Sequence, residues 1–111
     1  MYTEGEGVKK DYKKGVYWYK KAAEQGHIHT QYNLGLIYEE GEGVEKDYEE
    51  AIKWYKKAAR NGNVRGQYSL GCMYLEGKGV EKNYNQAEKW LKKAAEQGYE
   101  DAKKKLEEID D

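Results

Sequence analysis

Residues 27–62 read HIHTQYNLGLIYEEGEGVEKDYEEAIKWYKKAARNG, and this stretch decides the fold because the chain repeats it. Tyr2, Tyr38 and Tyr74 sit 36 residues apart, as do Val8, Val44 and Val80, and Trp18, Trp54 and Trp90. Tyr12, Tyr48 and Tyr84 keep the same step, and so do the pairs Ala22-Ala23, Ala58-Ala59 and Ala94-Ala95, and Gly26, Gly62 and Gly98. A unit of this length cannot bury its own apolar face and must stack on its neighbour, so the period predicts a solenoid.

Within the stretch, Thr30, Leu34, Ile37 and Tyr38 fall at helical spacing and predict a helix over about residues 28–40. Gly41-Glu42-Gly43 ends it, and Val44-Glu45-Lys46 crosses to a second segment. Asp47 is a natural N-cap, and Glu50 completes a capping box; Asn83 with Gln86 repeats the arrangement, whereas Asp11 is followed by Lys14. The second helix runs from Tyr48 to about Arg60, with Ala51, Trp54, Tyr55, Ala58 and Ala59 inward, and Gly62 suits the left-handed position beyond its end. Gly35 and Gly71 recur inside first helices, where glycine costs about 1 kcal/mol relative to alanine. Close helix–helix approach, with a Trp or Tyr ring over the bare backbone, would offset that cost. The expected fold is therefore all-α: a right-handed α/α superhelix of tightly packed antiparallel helix pairs, like the tetratricopeptide arrays.

The chain reads as one repeat domain over 1–111, with a truncated first unit 1–26, a second unit 27–62, a third unit 63–98 and a capping helix 99–111. The last segment keeps an apolar stripe at Ala102, Leu106 and Ile109 but is otherwise charged, as a cap facing water requires. At the other end, Met1 to Glu4 matches only the last turn of a first helix. The helix over residues 12–25 then lacks its partner, and Val16, Tyr17, Trp18 and Tyr19 should form an uncovered edge, covered by more array or by a second copy.

Composition excludes several function classes. Twenty basic and 21 acidic side chains leave a net charge of -1, which gives no case for a nucleic-acid or anionic-membrane binder. No apolar run approaches the roughly 20 residues of a membrane span, and Met1-Tyr2-Thr3-Glu4 does not open like a secretory signal. A single cysteine, Cys72, forbids an intramolecular disulfide, and no feature assigns a compartment.

The repeat resembles the Sel-one-like repeat family, a relative of the tetratricopeptide repeat. The second unit carries Leu34-Gly35, Tyr38, Gly41, Gly43-Val44, Asp47, Ala51, Trp54, Lys57-Ala58-Ala59 and Gly62, and the third repeats the pattern from Leu70-Gly71 to Gly98. Departures are Gly15 for the alanine at the second helix's start, Thr30 and Gly66 for the small alanine kept at Ala102, and Leu91 for the ring at Tyr19 and Tyr55. The resemblance implies a superhelix that binds proteins or peptides. It brings no shared catalytic residues and no cofactor.

Individual residues offer little chemistry. His27 and His29 are two apart, so on a helix they diverge and cannot chelate as an i, i+4 pair would. Cys72 has no nearby histidine in the sequence and sits where Leu36 sits one unit earlier, so a small apolar filler is the better reading than a thiol nucleophile. The lysine pairs Lys20-Lys21, Lys56-Lys57 and Lys92-Lys93 read as solvated helix faces, and Gly41-Glu42-Gly43, with its acidic centre, reads as a turn rather than a phosphate cradle.

One surface stands above these. On the first helices, the side away from the core stripe reads His29, Tyr32, Asn33 and Leu36, then Arg65, Tyr68, Ser69 and Cys72, with Leu75 beyond. Solenoids of this kind line their concave face with that helix side, and an apolar floor with polar specificity groups in such a concave groove suits an interface. Tyr32 and Tyr68 could equally pack between neighbouring first helices. In the cap the same positions are charged, Asp101, Lys104, Lys105 and Glu108, so an apolar ligand should end before them. The leading expectation is a non-catalytic scaffold binding a protein or peptide in this groove. The alternatives are a self-associating array and, third, a thiol enzyme using Cys72.

Overall fold

The computed structural model describes the backbone of residues 6–110 and the side chains of residues 15–109. It contains six helices: α1 (Glu6–Glu24), α2 (Ile28–Glu40), α3 (Tyr48–Arg60), α4 (Val64–Glu76), α5 (Tyr84–Glu96) and α6 (Glu100–Asp110). Among the described residues there is no strand. The helices pack in sequence order into an all-α solenoid measuring 51 × 25 × 25 Å, with α2 closest to α3 and α4 closest to α5. The expected boundaries of α2 and α3 match the observed ones.

Each pair is tight because glycine on the first helix lets the second come in. A β-carbon at Gly35 would run into the Tyr55 ring, and one at Gly71 would lie 2.8 Å from Leu91 Cγ. The expected ring over bare backbone is thus found at Gly35, while at Gly71 the aliphatic Leu91 takes its place. Trp54, Tyr55, Leu34, Leu70, Met73 and Leu91 are the largest fully buried side chains. Burial of this kind contributes roughly 1.5–3 kcal/mol per large apolar side chain.

The caps form as half of the expected box. Asp47 Oδ1 accepts from the Glu50 N–H at 3.1 Å, and Asn83 Oδ1 accepts from the Gln86 N–H at 3.0 Å. The backbone N–H groups of Asp47 and Asn83, which the box would have given to side chains, instead donate to the Tyr38 and Tyr74 carbonyls, both at 2.9 Å. Those bonds tie the start of each second helix to the end of its first. The turn between them needs a left-handed residue, which Gly41 (φ 72°) and Gly77 (φ 71°) supply.

The first unit departs from the expected pattern. α1 begins at Glu6, ahead of the Tyr12 start read from the repeat. Residues 7–11 are helical where the equivalent segments in the later units are turns. In those units the turn is pinned by Tyr38 and Tyr74; the matching residue, Tyr2, lies outside the described residues, as does the expected helix turn at Met1 to Glu4. A helix satisfies the segment's backbone groups internally.

The repeat reading also passed over a buried polar ladder. Gln31 and Gln67 are buried, at 3% and 5% exposure. Each side chain donates to the preceding second helix, Gln31 Nε2 to the Ala23 carbonyl at 3.0 Å and Gln67 Nε2 to the Ala59 carbonyl at 3.2 Å. Each accepts from the residue just beyond the second helix of its own unit, Gln31 Oε1 from Asn61 Nδ2 at 3.3 Å and Gln67 Oε1 from Gln97 Nε2 at 2.8 Å. Both ends of each amide are satisfied, so burial leaves no orphan group and the stacking register is fixed by directional bonds. The signal was present in the sequence as a glutamine recurring one unit apart beside the apolar stripe.

Candidate functional site

Residues of α2 and of the start of α4 line one open face. His29, Asn33 and Arg65 are exposed and Tyr32 is half-buried. These four line one open depression of about 720 Å³, bounded by the inter-unit turns at Gly26-His27 and Asn61-Gly62. Asn63 caps α4 there, its Oδ1 accepting from the Gly66 N–H at 2.6 Å, which holds the helix start and with it Arg65.

The other predicted residues are placed differently. Tyr32 packs its ring on Tyr55 at 5.9 Å between centroids, and Tyr68 packs on Tyr99 at 5.2 Å. Leu36 joins the same core cluster as Tyr32, and Tyr68 and Cys72 pack against Leu91, Ala94 and Ala102. Ser69, half-buried, stands beside the Tyr32 and Tyr55 hydroxyls. Leu75 faces a separate depression of about 460 Å³ with Tyr84, Glu108 and Ile109. The two tyrosine rings are engaged in packing, and of the predicted residues His29, Tyr32, Asn33 and Arg65 line the depression. In the cap helix, Asp101 and Lys104 are exposed and Lys105 pairs with Glu108 at 3.8 Å, so that segment is charged as expected.

Electrostatics follow burial. Burial pushes the Tyr32 hydroxyl up, and it pushes Tyr55 up further because that hydroxyl donates to Glu39 Oε1 at 2.6 Å. Tyr68 is raised by burial and then by its contact with Cys72. A raised folded-state value stabilises the fold fully below the unfolded tyrosine value of about 10, and the contribution is lost as pH climbs through the folded values. Burial also pushes the Cys72 thiol up, which keeps it neutral and is opposite to the activation a nucleophile needs. Among the described residues no group of three His, Cys, Asp or Glu side chains is placed to hold a metal ion, and no helix is long and apolar enough to cross a membrane.

The expected N-terminal edge is partly corrected. Val16 is 7% exposed and belongs to the core, because its face of α1, shared with Ala23, turns toward α2. Tyr17, Trp18 and Tyr19 are 54%, 63% and 42% exposed and do form an aromatic edge. Tyr17 and Trp18 meet edge to face at 5.2 Å, and Lys21 lies over both rings.

Three solved structures are similar to this chain over most of its length. A protective antigen of uropathogenic Escherichia coli strains, displaying an SLR fold, is 48% identical over 92% of this chain with a TM-score of 0.85. A Sel1 repeat protein from Oxalobacter formigenes is 46% identical over 78% with a TM-score of 0.76, and Helicobacter pylori cysteine-rich protein B is 37% identical over 82% with a TM-score of 0.77. The chain spans 22%, 36% and 68% of those three chains. Comparison with curated proteins gave no match. Proteins built on this repeat are typically interaction scaffolds and generally non-catalytic. The Sel1 repeat model matches residues 1–27, 28–63 and 64–99, in step with the helix pairs, and the chain belongs to the Sel1 repeat family.

Proposed function

We propose that the chain is a non-catalytic module that captures a protein or peptide on the outer face of α2 and α4. The observation supporting this most is the open depression of about 720 Å³, where an aromatic wall at Tyr32 meets the exposed His29, Asn33 and Arg65. Tyr32, with Ile28 and Val64, gives the depression apolar surface, while Tyr68 and Cys72 pack in the neighbouring cluster with Leu91, Ala94 and Ala102. The exposed polar groups would read the ligand, because their tips are free to pair at the rim of an apolar contact. Selecting random displayed peptides on the immobilised chain tests this. Binders should lose at least about tenfold in affinity on the double variant Asn33→Arg, Arg65→Glu with unchanged helical circular dichroism. Full retention of every binder would reject the assignment.

A second reading has its own support, the edge at Tyr17, Trp18 and Tyr19, on a helix whose main contact among the described residues is with α2. Exposed aromatic clusters of this kind mark association sites. Self-association there predicts a concentration-dependent mass in light scattering that Trp18→Glu reduces to the monomer. A monomer at every concentration would dismiss it.

A further inference from the structure

The other side of the solenoid, formed by the second helices, carries a local charge anomaly. Lys20 is followed four residues later by Glu24, and Lys92 by Glu96, opposite charges at a spacing that supports a helix, though less than the reverse order would. In the middle unit the same positions are Lys56 and Arg60, a like-charge pair that weakens α3 locally. Both residues line two open depressions. One, about 510 Å³, is walled by Tyr74, Gln86, Lys89 and Trp90; the other, about 400 Å³, by Lys53, Lys57 and the Gly79-Val80 turn. Glu49 is the sole acid lining either.

The cations there are poorly neutralised from within. The ion pairs among the described residues engage Lys53, Lys78, Lys92, Lys103 and Lys105, and none involves Lys56, Lys57, Arg60 or Lys89. Lys89 lies over the Trp90 ring at 5.0 Å and Lys57 over the Trp54 ring at 5.4 Å, so their stems are held against the helices. A chain with a net charge of -1 thus concentrates positive charge along one groove.

We infer that this groove docks an acidic peptide segment, whose spaced carboxylates pair with Lys56, Arg60 and Lys89. Arginine suits carboxylate recognition through its two-pronged donor geometry, and the Gln86 side chain adds a polar group at the wall. A nucleic acid fits less well. A duplex carries a phosphate charge about every 1.7 Å and would run onto Glu49, the acid lining the groove, whereas a narrow strand with separated carboxylates avoids it. This surface is distinct from the α2–α4 face, and the inference does not rest on that reading.

The test is fluorescence anisotropy of a labelled octaglutamate peptide titrated with the full chain at low and at physiological salt. Binding should weaken with salt, and Arg60→Glu should weaken it about tenfold or more with unchanged helical circular dichroism. Arg60→Lys should retain most of the affinity. Lys104→Glu, the same charge change on α6, should leave it unaltered. Failure to bind at low salt, equal binding by Arg60→Glu, equal weakening by Lys104→Glu, or tighter binding of an oligothymidylate of the same charge would each overturn the inference.

Discussion

Replacing Trp54 with alanine is expected to destabilise the chain by about 4 kcal/mol, the range for removing a buried tryptophan. Trp54 is 1% exposed, sits in the main core cluster, and has Lys53 and Lys57 lying over its ring at 5.2 and 5.4 Å. Its Nε1 finds no hydrogen-bond partner, so Trp54→Phe should cost much less than alanine, because it removes an unpaired buried donor. Trp18 occupies the same repeat position but is 63% exposed, and Trp18→Ala should cost less than about 1 kcal/mol. Urea unfolding of the three variants measures the differences. Equal losses at Trp18 and Trp54 would mean that α1 is covered as α3 is.

Substituting alanine for Gly35 should destabilise the chain by up to about 2 kcal/mol, although alanine is the better helix former. The helix gains about 1 kcal/mol from the change, but overpacking costs typically 1–3 kcal/mol and here forces the fully buried Tyr55 ring aside. That ring is anchored by its hydroxyl bond to Glu39 and packs on Tyr32, so it has little room to yield. Gly15 lies within α1, and no described atom lies within 4 Å of the β-carbon it would gain. Gly15→Ala should therefore stabilise by about 1 kcal/mol. The opposite signs separate a packing glycine from one that is merely permitted, and thermal or urea unfolding reads both.

The fold was legible because its determinants are local and periodic. Leu34, Trp54 and Leu70 announce the core by spacing, and Gly41, Asp47 and Asn83 mark helix ends through backbone preferences that a sequence displays directly. The site was less legible because half-exposed tyrosines look alike in sequence whether they bind or pack. Tyr32 and Tyr68 meet Tyr55 and Tyr99, contacts set by how far neighbouring helices tilt and approach, which no single repeat encodes. Val16 departs from the expected open edge for a related reason: its burial depends on how α1 lies against its neighbours, and it joins the core cluster. The glutamine ladder was missed because Gln31 and Gln67 look like surface residues until the carbonyls of Ala23 and Ala59 stand beside them.

The proposed binding face is tested most directly by amide chemical-shift mapping of the isotope-labelled chain during titration with a peptide selected on it. The account predicts perturbations concentrated in residues 27–36 and 61–69, around His29, Asn33 and Arg65, with α6 and the outer sides of α1 and α5 quiet. Perturbations centred instead on Tyr17 to Tyr19, or on α3 and α5 around Arg60, with residues 27–36 unmoved, would contradict it.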